Sequence, residues 1–216
     1  MTGARSVGAR QQVTIERCGY LGRLAQLRTE DREVMTRNGR LSEAIRNLRS
    51  AIQVNPAMAE GTVHVRTRWV GGTTVVGEVR EFPPMMVDEP PGLGGTDQGP
   101  TPVELVLLAL GSCQEIVCAA YAELLGIDLD AIEIELTATI DLRGFLDLDR
   151  SVRPGFTRIE TRVRLVSAEP EDRSQELVQL VERFCPVQDM LTRPVPIASV
   201  VTIERPVEHR WHTDQS

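Results

Sequence analysis

The chain contains no lysine: all 24 of its basic residues are arginine, a bias of the kind a GC-rich genome produces. Aromatic residues are scarce, at 4% of the sequence, so any core must be built from aliphatic side chains. Positive charge is also in deficit, with a net charge of −7, which argues against nucleic acid or an anionic membrane as the main partner. The N-terminus lacks a charged segment followed by an apolar run, so the expected location is the cytoplasm. No Gly-rich dinucleotide or P-loop pattern occurs. No CxxC or close His pair occurs either, which leaves little basis for a zinc site. The 3 histidines are His64 on an early strand and His209 and His212 in the tail. None of them is placed as the base of a Cys-His hydrolase.

What is present centres on Thr101–Gly126, TPVELVLLALGSCQEIVCAAYAELLG. Thr101 is placed as an N-cap, Pro102 at the first helical position and Glu104 three residues after the cap, which together make a capping box. Gly126 suits the left-handed residue that ends a helix. The result is a helix of about 36 Å, at about 1.5 Å per residue. Between Val103 and Cys113 only Glu104 and Ser112 are polar, so this helix has no face for water and must be enclosed. Glu115 and Glu123 interrupt it as a membrane span. A two-layer subunit would struggle to cover such a helix alone, so an obligate dimer is expected.

The 216 residues suit one domain plus an extension. Residues 1–60 carry 10 Arg against 6 acids, and residues 61–216 carry 14 against 25. The first segment is therefore electrostatically distinct, and it contains weak helical periodicity over Cys18–Arg37 and a clearer amphipathic helix over Ser42–Ile52. That second helix is expected to dock on an acidic surface through its apolar stripe. A hairpin is predicted from Thr62–Val70 and Thr73–Phe82 around Gly71-Gly72, followed by a long Pro/Gly-rich loop over Pro83–Pro102. Alternating strands are predicted at Ile132–Leu142 and Phe156–Val166, a helix at Ser174–Phe184 ended by Cys185-Pro186, and a last strand at Pro194–Ile203. The class is α+β, with helices against one face of an antiparallel sheet.

Four cysteines in a chain of this kind are more readily reduced, catalytic or redox-active than a disulfide scaffold. Cys113 lies about three turns into the central helix, too deep for the helix dipole to help it. Burial alone would make it inert, and a reactive thiolate would need a nearby cation. Cys185 sits where a helix meets a proline and a side chain can swing outward. Cys118 is turned about 140° from Cys113, which forbids an intrahelical disulfide. Residue types by themselves leave Cys113 open between core cysteine and reactive thiol.

The segments VDEPPGLGGTDQGPTPVELVLLALGSC, GID, DLRGFL, PGFTRIETRVRL and FCPVQDMLTRPVPI resemble the OsmC/Ohr family of thiol-dependent peroxidases, over about residues 62–204. The resemblance implies an intertwined homodimer of α+β subunits, with residues 1–60 as a helical extension and 61–216 as the OsmC-like domain. It implies that Cys113 is the peroxidatic and Cys185 the resolving cysteine, acting on a small organic hydroperoxide and recycled by a dithiol reductant. No cofactor is called for: no metal, flavin or haem. The family's supporting glutamate stands ten residues before the cysteine. Here that position is Val103 and the acid is Glu104, which is also the capping-box partner of Thr101. The family's activating arginine lies in an early loop that carries none here, and Arg80 is the nearest candidate. A rival reading is a non-enzymatic OsmC-like protein that binds a small ligand or acts as a thiol redox switch.

Overall fold

The computed structural model of the chain describes residues 39–205. The expected Cys18–Arg37 helix, Cys18, His209 and His212 lie outside them. The central helix α2 runs Pro102–Leu125, with the boundaries that its caps predict. Thr101 Oγ1 accepts the Glu104 N–H at 3.3 Å, and Glu104 Oε2 accepts the Thr101 N–H at 2.7 Å. At the other end Gly126 takes φ 66° and its N–H closes on Ala122 and Glu123. By length and composition α2 is the one helix among the described residues that could cross a membrane. Its second half instead packs in the protein core: Cys118 and Ala122 join Ile127, Leu177 and Val181 in one buried cluster.

Ahead of α2 come helix α1 (Arg40–Val54) and a three-stranded antiparallel sheet of β1 (Arg66–Gly71), β2 (Thr74–Glu78) and β3 (Met85–Val87). The hairpin forms around Gly71-Gly72 as its positive-φ glycines allow, but it is shorter than predicted. β2 stops at Glu78, and Arg80 follows at φ 50°, a left-handed turn incompatible with a continuing strand. β3 lies inside the stretch predicted as loop. After α2, β4 (Leu129–Ile140) and β5 (Phe156–Ser167) form a separate two-stranded sheet, linked through a one-turn helix α3 (Leu142–Phe145). Their register puts Ile134 opposite Val163 and Ala138 opposite Ile159, and places Glu133 beside Arg164 and Glu135 beside Arg162. The exposed ion pairs of the second set contribute little. Helix α4 (Glu171–Phe184) is followed at once by α5 (Pro186–Thr192).

Two expectations need correction. Cys185-Pro186 ends α4 but also starts α5, because proline at the first helical position is pre-set for a helix and its missing N–H is not needed there. Pro194–Ile203 forms no strand: the segment has no ladder partner in the chain, and Ile197 and Val200 are 91% and 98% exposed. A β-segment is stable only against a neighbour. One chain by itself does not enclose α2, in line with the sequence expectation. Val103, Val106, Leu108 and Ile116 all face outward, with Leu108 65% exposed. Helix α1 touches the chain's own α2 through a polar contact rather than the expected apolar stripe, of which Leu48 is 53% exposed. Glu123 Oε2 accepts the backbone N–H of buried Ser42 at 2.9 Å, an N-terminal cap from across the fold.

The long connection into α2 is pinned at one buried carboxylate. Asp88 accepts from Thr73 Oγ1 at 2.5 Å, Thr96 Oγ1 at 2.7 Å, Thr96 N at 3.0 Å and Gln98 N at 3.3 Å. The loop folds so closely that a Cβ at Gly95 would overlap the Glu89 carbonyl, and one at Gly99 the Met86 carbonyl. The hydroxyls of Thr73 and then Thr96 hold the Asp88 carboxyl well below the usual carboxylate range, with backbone N–H groups adding to them. A depressed pKa contributes stability that is present above the unfolded value, near 4, and is lost as pH falls below it. Asp88→Asn is therefore expected to lower Tm by roughly 5 °C or more at neutral pH. The gap from wild type should narrow as pH drops below about 4. Thermal melts across pH check this, and a gap that stays constant would refute the linkage.

Candidate active site

Cys113 and Cys185 come from elements far apart in sequence, and packing brings them together. Leu177 and Val181 of α4 bury against the second half of α2. At the end of α4, Phe184 stacks on Tyr121 of α2 with ring centroids 5.3 Å apart. The next residue is Cys185, only 1% exposed, whose thiol lies close enough to Cys113 to be pushed up by it. Cys113 itself is only partly buried, so it is the thiol of the pair open to a small molecule.

The surroundings differentiate the thiols. Burial pushes the Cys185 thiol up, the Gln188 N–H opposes this, and the hydrogen bond and charge of Cys113 add to the rise. Cys185 Sγ caps α5 by accepting that N–H at 3.4 Å. Cys118 is pushed up to about 11 by burial and by the neighbouring Glu115 carboxylate, and it faces the core cluster rather than the pair. A cleft of about 210 Å³ lies between α2 and β4, on the face of α2 turned away from Cys113, lined by Leu107, Leu108, Ser112, Glu115 and Leu136. Among the described residues no group of three or more His, Cys, Asp or Glu side chains is placed to hold a metal.

The other two sequence candidates hold different contacts. Glu104 is the capping-box partner of Thr101 and stands about 13 Å from Cys113 along the helix axis, at about 1.5 Å per residue. Arg80 lays its guanidinium over the Phe82 ring, 4.7 Å from the centroid. Among the described residues no hydrogen bond or ion pair joins it to Cys113. Sequence reasoning missed Gln114 and Gln188, whose side chains bond beside the cysteines. The available signal was a lone amide inside an apolar helix. It also missed Asp88, whose partners lie 8 to 15 residues away.

Two neighbouring thiols, one partly buried and one capping a short helix, thus sit on an α+β frame with a long central helix. Residues 95–200 match the family model described as OsmC-like protein, which supports an OsmC/Ohr family assignment. Its fold is similar to that of an OsmC-like protein from Mycoplasma pneumoniae, with 16% identity and a TM-score of 0.54, covering 62% of this chain and 89% of that one. It is also similar to an OsmC-like protein of unknown function from Vibrio cholerae O1 biovar eltor, with 11% identity and a TM-score of 0.51, covering 60% and 93%. No curated protein sequence matches the chain.

Proposed function

We propose that this protein is a cytoplasmic, homodimeric thiol peroxidase that reduces small organic hydroperoxides through Cys113 and Cys185. The observation that supports the reading is the proximity of a partly buried thiol, Cys113, to a buried one, Cys185. The Cys113 thiolate attacks the distal peroxide oxygen and the O–O bond breaks. The alkoxide leaves as an alcohol after taking one proton, and Cys113 becomes a sulfenic acid. The Cys185 thiol attacks that sulfur, forming the disulfide and releasing water. A dithiol then donates two electrons and two protons by thiol–disulfide exchange, restoring both cysteines and becoming a disulfide itself. Glu104 and Arg80 are given no step. The preference for an organic peroxide over hydrogen peroxide is what the resemblance to the OsmC/Ohr family implies.

The dimer is supported by the apolar surface that one chain leaves uncovered on α2 and along residues 194–203. A second copy with the same unpaired segment and the same helix face supplies what each lacks. The test is peroxide consumption with a dithiol reductant. The expected result is that an alkyl hydroperoxide is consumed at least about tenfold faster, in kcat/KM, than hydrogen peroxide, the scale of a modest difference in apolar contact. No consumption of either, with both thiols remaining free, would favour a small-ligand binding protein or thiol switch.

A further inference from the structure

The two cysteine-bearing segments are joined by a side-chain hydrogen bond, one residue from Cys113 and three from Cys185. Gln114 follows Cys113 on α2 and is 6% exposed. Its Nε2 donates to Gln188 Oε1 at 2.8 Å. Gln188 lies in the first turn of α5, and its backbone N–H is the donor that Cys185 Sγ accepts. The amide bond thus spans the gap between α2 and the start of α5, across which the two cysteines face each other in sequence-distant segments. The Gln114 Oε1 is buried with no hydrogen-bond partner. A buried carbonyl left unpaired is destabilising, and a leucine of similar size would avoid that cost. Stability therefore does not account for an amide at this position, whereas geometry does.

We propose that the Gln114–Gln188 hydrogen bond is a clasp that holds the start of α5 against α2 and so sets the effective concentration of Cys185 at Cys113. Both glutamines are positioning residues, and the inference rests on the Cys113–Cys185 redox reading. When the disulfide forms, Cys185 turns away from its place as the α5 cap and the Gln188 N–H loses its sulfur acceptor. The side-chain clasp is independent of that cap, so it keeps the first turn of α5 in place while Cys185 moves. Without it α5 is free to lean away, and a Cys113 sulfenic acid waits longer for its partner.

The experiment equilibrates full-length wild type, Gln114→Leu, Gln188→Leu and the double variant with glutathione redox buffers. The Cys113–Cys185 disulfide is then quantified by alkylation and mass spectrometry. In this exchange two protein thiols give two electrons and two protons to glutathione disulfide, which leaves as two glutathione thiols. Each single substitution is expected to lower the equilibrium constant roughly three- to tenfold, the worth of one hydrogen bond. The double variant should lower it no further, because both changes remove one interaction. In parallel, more Cys113 sulfinic acid should accumulate per equivalent of alkyl hydroperoxide. Gln188 is only partly buried, so Gln188→Leu removes the bond without disturbing the core and keeps the test valid if Gln114→Leu misfolds. Unchanged constants in the single variants, or effects that add in the double, would overturn the clasp while leaving the redox pair standing. A wild type that forms no such disulfide in any buffer overturns the redox reading itself, and the clasp with it.

Discussion

Cys113→Ser is expected to abolish hydroperoxide reduction, and Cys185→Ser to convert turnover into a single event. Cys118 is sealed in the core and its thiol is pushed up to about 11, so it holds almost no thiolate at neutral pH. No other described thiol is both accessible and beside a partner, so loss of Cys113 should reduce kcat/KM by at least about a thousandfold, the scale seen when a nucleophile is removed. Cys185→Ser keeps the attacking thiol but removes the one that condenses with its sulfenic acid. One equivalent of peroxide should then be reduced, after which Cys113 stalls as sulfenic acid and over-oxidises. Cys118→Ser should leave the rate near wild type. Mass spectrometry after one equivalent of an alkyl hydroperoxide reads all three outcomes. A Cys113–Cys185 disulfide in wild type supports the assignment. Full turnover by Cys113→Ser would end it.

The second large effect concerns assembly. Leu108 projects from α2 with 65% of its surface exposed, and Val103, Val106 and Ile116 of the same helix are exposed as well. Burying such a leucine against another chain is worth about 2 kcal/mol. Enclosing a glutamate there instead costs several kcal/mol per charge, and a symmetric interface would enclose two. Leu108→Glu is therefore expected to weaken dimerisation roughly a thousandfold or more. At micromolar concentration it should sediment as a monomer or precipitate, whereas wild type should sediment as a dimer and lose its fold on dilution. Wild-type chain that persists as a soluble, folded monomer at the same concentration would refute the obligate dimer.

The sequence by itself determined the features written in neighbouring residues. Thr101, Pro102, Glu104 and Gly126 delimit α2 because caps act over three or four positions. Period-two alternation marked β4 and β5, since each side chain's face follows from its own place in the pleat. The motifs around Cys113 and Cys185 also marked the two cysteines as candidates. Only the tertiary structure decided that their thiols lie close. That proximity depends on Leu177, Val181 and Phe184 packing α4 onto α2, a match between distant surfaces with no local code. The same holds for the Gln114–Gln188 bond, which spans 74 positions, and for Asp88, whose hydroxyl and amide partners arrive from two separate turns. The failed strand at Pro194–Ile203 shows the limit most clearly. Its alternating apolar residues state a preference for extended backbone, but a strand also needs a neighbouring edge to hydrogen-bond, and one chain supplies none there.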